Sequence, residues 1–202
     1  MKTLKFSRIC QLIVPMLLAT SLSAELRRYR IDPVHTRVLL SVDHAGFSNT
    51  MFQALRPAGK LWWNLDAPEQ SRVDVEIEVA NIDFGDASWN KAMQGKRYFN
   101  VKQFKTISFK STAVRASDAN QGQFDALITI LGVSRKITLD YTMNKSGMHP
   151  MLPRAMLGFS ARGKLKRSDF GMDHAADMIG DDVAIRIELE ASLDPEFKPA
   201  RK

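Results

Sequence analysis

The chain has 202 residues, of which 45% are hydrophobic and 25% are charged, an ordinary composition for a globular protein. This composition excludes a disordered, collagen-like or coiled-coil chain, and the 11 glycines and 8 prolines are too dispersed to form a linker between domains. The net charge of +7 would favour a nucleic acid partner, but part of it lies in the first residues.

Residues 1–24 have the pattern of an export signal. Three basic residues precede a short apolar run, and small residues follow that run. The run is too short to span a bilayer, which favours a cleaved signal peptide over a membrane anchor. We expect cleavage after Ser23 or Ala24 and a periplasmic product.

Removal of this segment changes both the charge and the cysteine count. It takes away Lys2, Lys5 and Arg8, which leaves 26 of the 29 basic residues against 22 acidic ones and a net charge of +4. The single cysteine, Cys10, is removed as well, so the mature chain has no disulfide, thiol nucleophile or cysteine zinc site. The one basic patch, residues 163–167, lacks the aromatic side chains that stack on bases, so no nucleic acid partner is predicted.

From residue 29 onward, apolar and polar residues alternate with a period of two, which is typical of strands with one solvated face. The alternation predicts about eight strands, at residues 37–43, 59–65, 73–79, 106–114, 123–131, 136–143, 156–165 and 183–189. Most connections are too short for parallel crossovers, so an antiparallel sheet is expected. Residues 87–104 lack the alternation and predict one or two short helices.

Eight antiparallel strands close most economically into a barrel, because closure leaves no unpaired edge. The predicted fold is therefore all-β, with a barrel domain over residues 25–194, the helical excursion at 87–104 and a C-terminal tail at 195–202. The interior of such a barrel is either filled by side chains or just wide enough for one slender ligand. Alternation alone does not decide between a packed core and a tunnel.

The side chains that the alternation directs inward are apolar throughout, so any ligand inside the barrel should be hydrophobic. They are Val38, Leu40, Val42, Leu61, Trp63, Val75, Ile77, Ile107, Phe109, Ile128, Ile130 and Phe159.

Several ordered motifs, spread over residues 29–191, resemble those of one protein family. They are YRIDPVHT at 29–36, HAGFS at 44–48, ANID at 80–83, the stretch from 89 to 95, YFNV at 98–101, ISFKST at 107–112, LGVSR at 131–135, RSDFGM at 167–172 and GDDV at 180–183. On these motifs the chain resembles the YceI family of lipocalin-like, polyisoprenoid-binding periplasmic proteins.

The resemblance implies an extended eight-stranded barrel whose hydrophobic tunnel holds a long isoprenoid lipid, such as a polyprenyl phosphate or the tail of a quinone. It also implies a homodimer as an assembly state, and transient contact with a membrane is a further expectation. The sequence departs from the family at Phe52 and Ala54, where a glycine and a phenylalanine are usual, and at Asn90-Lys91, where an Arg-Asp pair is usual. Both departures fall where the barrel mouth is expected, so they should affect ligand choice more than the fold.

Aromatic and methionine side chains adapt well to a flexible chain studded with methyl groups. We therefore expect a second group of ligand contacts around the tunnel, besides the inward set above. It comprises Phe47, Phe52, Trp89, Phe99, Phe104, Phe170, Met93 and Met172.

The remaining polar candidates are expected to have structural or head-group-binding roles rather than catalytic ones. Strand parity places His44 at the inner rim, where it would contact a head group or bond a backbone carbonyl. Asp32 and Asp169 are interpreted as turn residues whose carboxylates accept backbone amides, and Arg167 as an ion-pair partner or a phosphate contact. The four histidines show no metal-ligand spacing, so no metal, cofactor or catalytic residue is predicted.

Three functions remain open at this point. The leading one is a carrier or sequestering protein for an isoprenoid lipid. The second is a stress-related protein-interaction module with a filled barrel that makes its contacts through residues 87–104. The third, an enzyme on an apolar substrate, is disfavoured because the chain lacks a thiol, a G-x-S-x-G elbow, a suggestive carboxylate pair and a histidine pair.

Overall fold

The structure, a computed structural model, describes residues 25–197. The predicted export signal with its cleavage point and residues 198–202 of the predicted tail lie outside this range. Within it, the strands are β1 (Arg27–Ile31), β2 (Arg37–His44), β3 (Ser48–Ala54), β4 (Ala58–Trp63), β5 (Arg72–Glu78), β6 (Ile82–Asp83), β7 (Thr106–Ala116), β8 (Gln121–Ile130), β9 (Val133–Met148), β10 (Ala155–Lys166) and β11 (Ile179–Leu193).

These strands close into an antiparallel barrel with eight positions. Three of these positions hold two strands each, placed end to end. β1 and β2 share the position beside β11, and in the next position β4 pairs with β1 while β3 pairs with β2. In the third position β5 pairs with β4 and β6 pairs with β3. The other five positions are β7 to β11, and the ring closes where β1 pairs with β11. The predicted eight-stranded antiparallel barrel is confirmed, although the alternation missed β1, β3 and β6.

In each of the three positions that hold two strands, a short break separates the two strands, and the three breaks lie next to one another at the same height in the barrel. Residues 32–36, 55–57 and 79–81 form these breaks. Glu190 N donates to Thr36 Oγ1 at 3.2 Å, and Leu55 N donates to Asn81 O at 2.9 Å. These bonds let the wall bend while its backbone groups stay paired.

The wall is open above this level between β6 and β7. The last residue pair of β5 with β7 joins Glu78 to Thr106, while β6 pairs only with β3. The intervening residues 84–105, here called the mouth segment, contain one helix, α1 (Ala87–Met93), whose first turn is capped by Asp86 accepting from Trp89 N at 2.9 Å. The predicted helical excursion is confirmed for these seven residues, and turns occupy most of the remainder to residue 104.

The barrel therefore has two unlike ends. The mouth segment, the β2–β3 turn, the β8–β9 turn and the loop at 171–178 lie at one end, here called the mouth. The opposite end, here called the floor, carries the β4–β5, β7–β8 and β9–β10 connections. Between residues 25 and 197, no helix is long and apolar enough to cross a membrane.

Candidate functional site

The barrel encloses a cavity of about 200 Å³ that is lined from the mouth segment down to the aromatic side chains near the floor. Apart from Thr36, Tyr98 and Arg167, the side chains around it are hydrophobic. An apolar cavity of about 150 Å³ is enough to bind benzene, so this one can take a hydrophobic ligand. Alternation left open whether the interior is a packed core or a tunnel, and the structure shows that side chains do not fill it.

Most of the predicted ligand contacts lie around this cavity. From the two predicted groups, the lining includes Val38, Leu40, Val42, Phe52, Leu61, Val75, Ile77, Met93, Phe99, Ile107, Phe109, Ile128, Ile130, Phe159, Phe170 and Met172. Whether each of them touches a ligand stays a prediction.

Five predicted contacts lie elsewhere. His44 is exposed because it is the last residue of β2, beside the β2–β3 turn at the mouth and outside the cavity lining. Phe47, in the β2–β3 turn, is 91% exposed. Trp89 packs on the ring of Phe84 at 5.8 Å, Phe104 packs against Gly132, and Trp63 belongs to the floor.

The lining also includes residues outside the two predicted groups. Several continue the same alternation on β9 and β11, so the signal was present in the sequence: Ile137, Leu139, Val183, Ile185, Ile187 and Leu189. Others come from the strand breaks and the mouth, where no periodicity marks them: Thr36, Pro57, Phe84 and Tyr98. Arg167, named above as a possible phosphate contact, also lies in the lining.

Aromatic rings gather where the wall is open. Phe52 of β3 stacks on Phe84 at a centroid distance of 4.6 Å, and Phe84 lies 6.5 Å from Phe99. Asn90 of α1 fixes the position of Phe84, because its Oδ1 accepts from Phe84 N at 2.7 Å while its Nδ2 donates to Asp83 at 3.0 Å. Phe52 and Asn90, two positions where the resemblance predicts a departure, are thus joined through Phe84 at the mouth.

A tight aromatic cluster closes the floor. Trp63 is 1% exposed and packs edge-on against Phe159 at 4.8 Å and Tyr141 at 5.6 Å, with Phe124 beside them. Burial raises the pKa of the Tyr141 hydroxyl, and the charges of Glu69 and Asp118 add to this. Because this cluster shuts the barrel below the cavity, the mouth is the end from which a ligand can enter.

The loop at 171–178 borders the mouth on the other side. Tyr98 of the mouth segment meets the ring of His174 edge-on at 5.3 Å. Arg167 donates its hydrogen bonds to backbone carbonyls of this loop and of β11, and it forms no ion pair with Asp169. Ser168 N donates to the Asp181 carboxylate at 2.9 Å. Asp181 therefore accepts the turn amide that Asp169 was expected to accept.

Asp32 and His35 form a separate polar cluster on the surface, in the break between β1 and β2. The Asp32 carboxylate accepts from Val34 N at 2.8 Å and His35 N at 3.2 Å, which confirms its role in the turn, and it contacts His35 Nδ1 at 3.0 Å. Burial alone would raise the pKa of Asp32, but these hydrogen bonds hold it below its usual value, and the bond to Asp32 raises the pKa of His35. Together with Glu190 these groups could hold a metal ion.

Comparison with known proteins points to one family. The model of the YceI-like domain matches residues 29–191. The UPF0312 protein of Serratia proteamaculans (strain 568) is 27% identical over 164 residues, which cover 80% of this chain and 84% of that protein.

Two solved structures share the fold. BcnA of Burkholderia cenocepacia aligns with a TM-score of 0.72 at 21% identity and covers 79% of this chain and 98% of its own. A polyisoprenoid binding domain from Saccharophagus degradans aligns with a TM-score of 0.59 at 13% identity, covering 84% of this chain and all of its own. Since the family match extends over nearly the whole barrel, from Tyr29 in β1 to Ala191 in β11, this chain belongs to the YceI-like domain family.

Proposed function

We propose that this protein binds a long isoprenoid lipid, such as a polyprenyl phosphate or the tail of a quinone, and serves as a periplasmic carrier or sequestering protein. The observation that carries the proposal is the apolar cavity inside the barrel, closed at the floor and lined by aromatic residues at the mouth. The polyisoprenoid binding domain with the same fold supports the ligand class. A binding protein rather than an enzyme fits this lining, because it supplies hydrophobic contact and shape.

Burial of the lipid tail supplies the binding free energy. Each methylene removed from water contributes roughly 0.8 kcal/mol, so a few five-carbon units bind tightly without a specific polar contact. The empty volume of about 200 Å³ is on the scale of one or two such units. A longer tail requires side chains to move, and Met93 and Met172 in the lining are flexible enough to do so.

The proposal includes transient contact of the mouth with a membrane, where such a lipid resides. The mouth segment carries five exposed basic residues and no acidic residue between positions 87 and 105, and Phe47 projects beside it from the same end. Cations with adjacent exposed apolar side chains suit an anionic bilayer surface. A homodimer, which the family resemblance implies, remains an expectation.

Solvent extraction of the natively purified full-length protein, followed by mass spectrometry, tests the ligand. We expect a prenyl lipid in the extract. Recovery of no prenyl lipid, together with no binding of added polyprenyl phosphate or quinone, would overturn the proposal.

A pair of variants tests whether the cavity is the binding site. Ala161 is 8% exposed and lines the cavity, so Ala161→Phe places a ring inside it, whereas Ala184→Phe places the same ring on the exposed face of the neighbouring strand β11. We expect at least ten-fold weaker lipid binding for Ala161→Phe and unchanged binding for Ala184→Phe. Equal binding by both variants would place the lipid outside the cavity.

A further inference from the structure

Arg167 is a buried cation at the mouth end of the cavity. It follows β10 and continues the inward face of that strand, on which Leu157, Phe159 and Ala161 are also buried. It is 6% exposed, and it belongs to the cavity lining. It is the one charged residue in a lining that is otherwise almost entirely apolar.

Backbone carbonyls hold the guanidinium in place. Its Nε donates to Gly180 O at 2.9 Å, Nη1 donates to Met172 O at 2.7 Å and to His174 O at 2.9 Å, and Nη2 donates to Ile179 O at 2.8 Å. A guanidinium has five N–H groups, so one of those on Nη2 has no acceptor within residues 25–197. The side chain is therefore fixed, with a donor left over.

No carboxylate of the described residues neutralises this charge. The Asp181 carboxylate accepts from Ser168 N at 2.9 Å and lies 3.5 Å from Lys166 Nζ, so it is already engaged outside the cavity. Carbonyl dipoles satisfy N–H groups but carry no formal negative charge. A buried cation without an anionic partner is costly, and an anion that reaches it is bound strongly because the surroundings screen it little.

We propose that Arg167 binds the anionic head group, a phosphate or a carboxylate, of the lipid whose tail occupies the cavity. This assignment rests on the proposed function and narrows the ligand class, because it predicts that acidic lipids bind more tightly than neutral alcohols with the same tail. The free N–H of the guanidinium donates one charge-assisted hydrogen bond to an anionic oxygen, and the five exposed cations of the mouth segment draw such ligands toward the mouth.

The test compares two ligands with one tail. Calorimetric titration of the full-length protein with a short polyprenyl monophosphate and with the polyprenol of the same length isolates the head group. We expect the phosphate to bind at least ten-fold more tightly than the polyprenol. Most of this advantage should persist at about 0.5 M salt, because the Debye length there is only a few ångströms and the charges of exposed lysines are largely screened. Equal binding of the two lipids would overturn the assignment to Arg167, while binding of neither would overturn the proposed function itself.

A matched pair of variants locates the effect. Arg167→Gln should remove the preference for phosphate while the polyprenol still binds, and Arg162→Gln, on the exposed face of the same strand, should retain the preference. A preference that survives in folded Arg167→Gln would overturn the proposal. If Arg167→Gln does not fold, the salt dependence in the unaltered protein decides, because an advantage that disappears at high salt belongs to exposed cations. Inorganic phosphate is the remaining probe, and binding of it as tight as that of the lipid would contradict a head-group site.

Discussion

At the scale of single residues, Tyr141 shows how packing outweighs polarity at the floor. Its hydroxyl is buried without a hydrogen-bond partner in the described part of the chain. The ring covers Gly122, its cross-strand neighbour, where a Cβ would lie 2.8 Å from the hydroxyl oxygen. A residue larger than glycine there would clash first with the backbone carbonyl of Arg115 on the neighbouring strand β7, and also with the Tyr141 hydroxyl.

Replacing Tyr141 by phenylalanine should leave the protein equally stable or more stable. An unsatisfied buried polar group costs about 1–3 kcal/mol, and the change removes it while preserving the ring, so we expect the free energy of unfolding to rise by up to about 1 kcal/mol. Urea unfolding measures this. Phe159→Ala, which removes a ring from the same cluster, should lower the free energy of unfolding by about 3–5 kcal/mol. A clear loss of stability in Tyr141→Phe would show that the hydroxyl has a partner.

The pair of Asp32 and His35 makes the turn between β1 and β2 sensitive to pH. Because the pKa of His35 is raised, its stabilising contribution is complete below the ordinary histidine value of about 6.5 and is lost as the pH rises through the raised value. Because the pKa of Asp32 is lowered, its contribution is complete above the ordinary aspartate value of about 3.9 and is lost as the pH falls through the lowered value. The turn is therefore most stable between these two ordinary values.

Asp32→Asn should bring the pKa of His35 down toward the ordinary histidine value, because the hydrogen bond and the charge that raise it are weakened or removed. An NMR titration of the His35 ring measures the change. Asp169→Asn, which alters an exposed carboxylate in another loop, serves as the control and should leave the pKa of His35 where it was. An unchanged pKa in Asp32→Asn would contradict the pairing.

At the scale of elements, the mouth segment combines charge with access to the cavity. Lys91, Lys96 and Arg97 are exposed and take part in no ion pair within residues 25–197. Each cation near an anionic bilayer contributes about 1 kcal/mol, roughly five-fold in affinity. The triple change of these residues to glutamine should therefore weaken binding to phosphatidylglycerol vesicles at least ten-fold at low salt.

Vesicle co-sedimentation measures this, with a matched triple change on the outer wall of β9 and β10 as the control. Lys145, Arg162 and Lys164 are exposed there, away from the mouth segment, and their change to glutamine should have little effect. An equal loss in both triple variants would mean that overall charge, rather than the mouth, governs membrane contact.

The strands also show which signals a sequence carries. The central parts of β5, β8, β9, β10 and β11 alternate because one face is buried and the other is solvated, so their existence and inward faces could be predicted. β1 contains three arginines in five residues and β3 is mostly polar, so neither shows a clear apolar face. They form because neighbouring strands supply the pairing, which no local pattern records.

At the scale of the whole molecule, closure of the sheet into a barrel brings the inward apolar side chains together around one cavity. The motifs predicted the family and the barrel, and parity predicted most of the lining. Parity alone did not show where the cavity ends, so it included His44, which lies beyond the cavity at the mouth, and Trp63, which lies beyond it at the floor. Arg167 was recognised as a phosphate contact or an ion-pair partner, and only the fold shows that backbone carbonyls, and no carboxylate, surround it.

Photo-crosslinking determines directly whether a lipid binds inside the barrel. An isoprenoid that carries a photoreactive group along its tail, bound to the full-length protein and irradiated, should label inward side chains such as Val75, Ile128 and Ile185, identified by peptide mass spectrometry. The exposed residues between them on the same strands should remain unlabelled. Labels on the outer face of the barrel, with the inward positions unmodified, would contradict binding of the lipid inside the barrel.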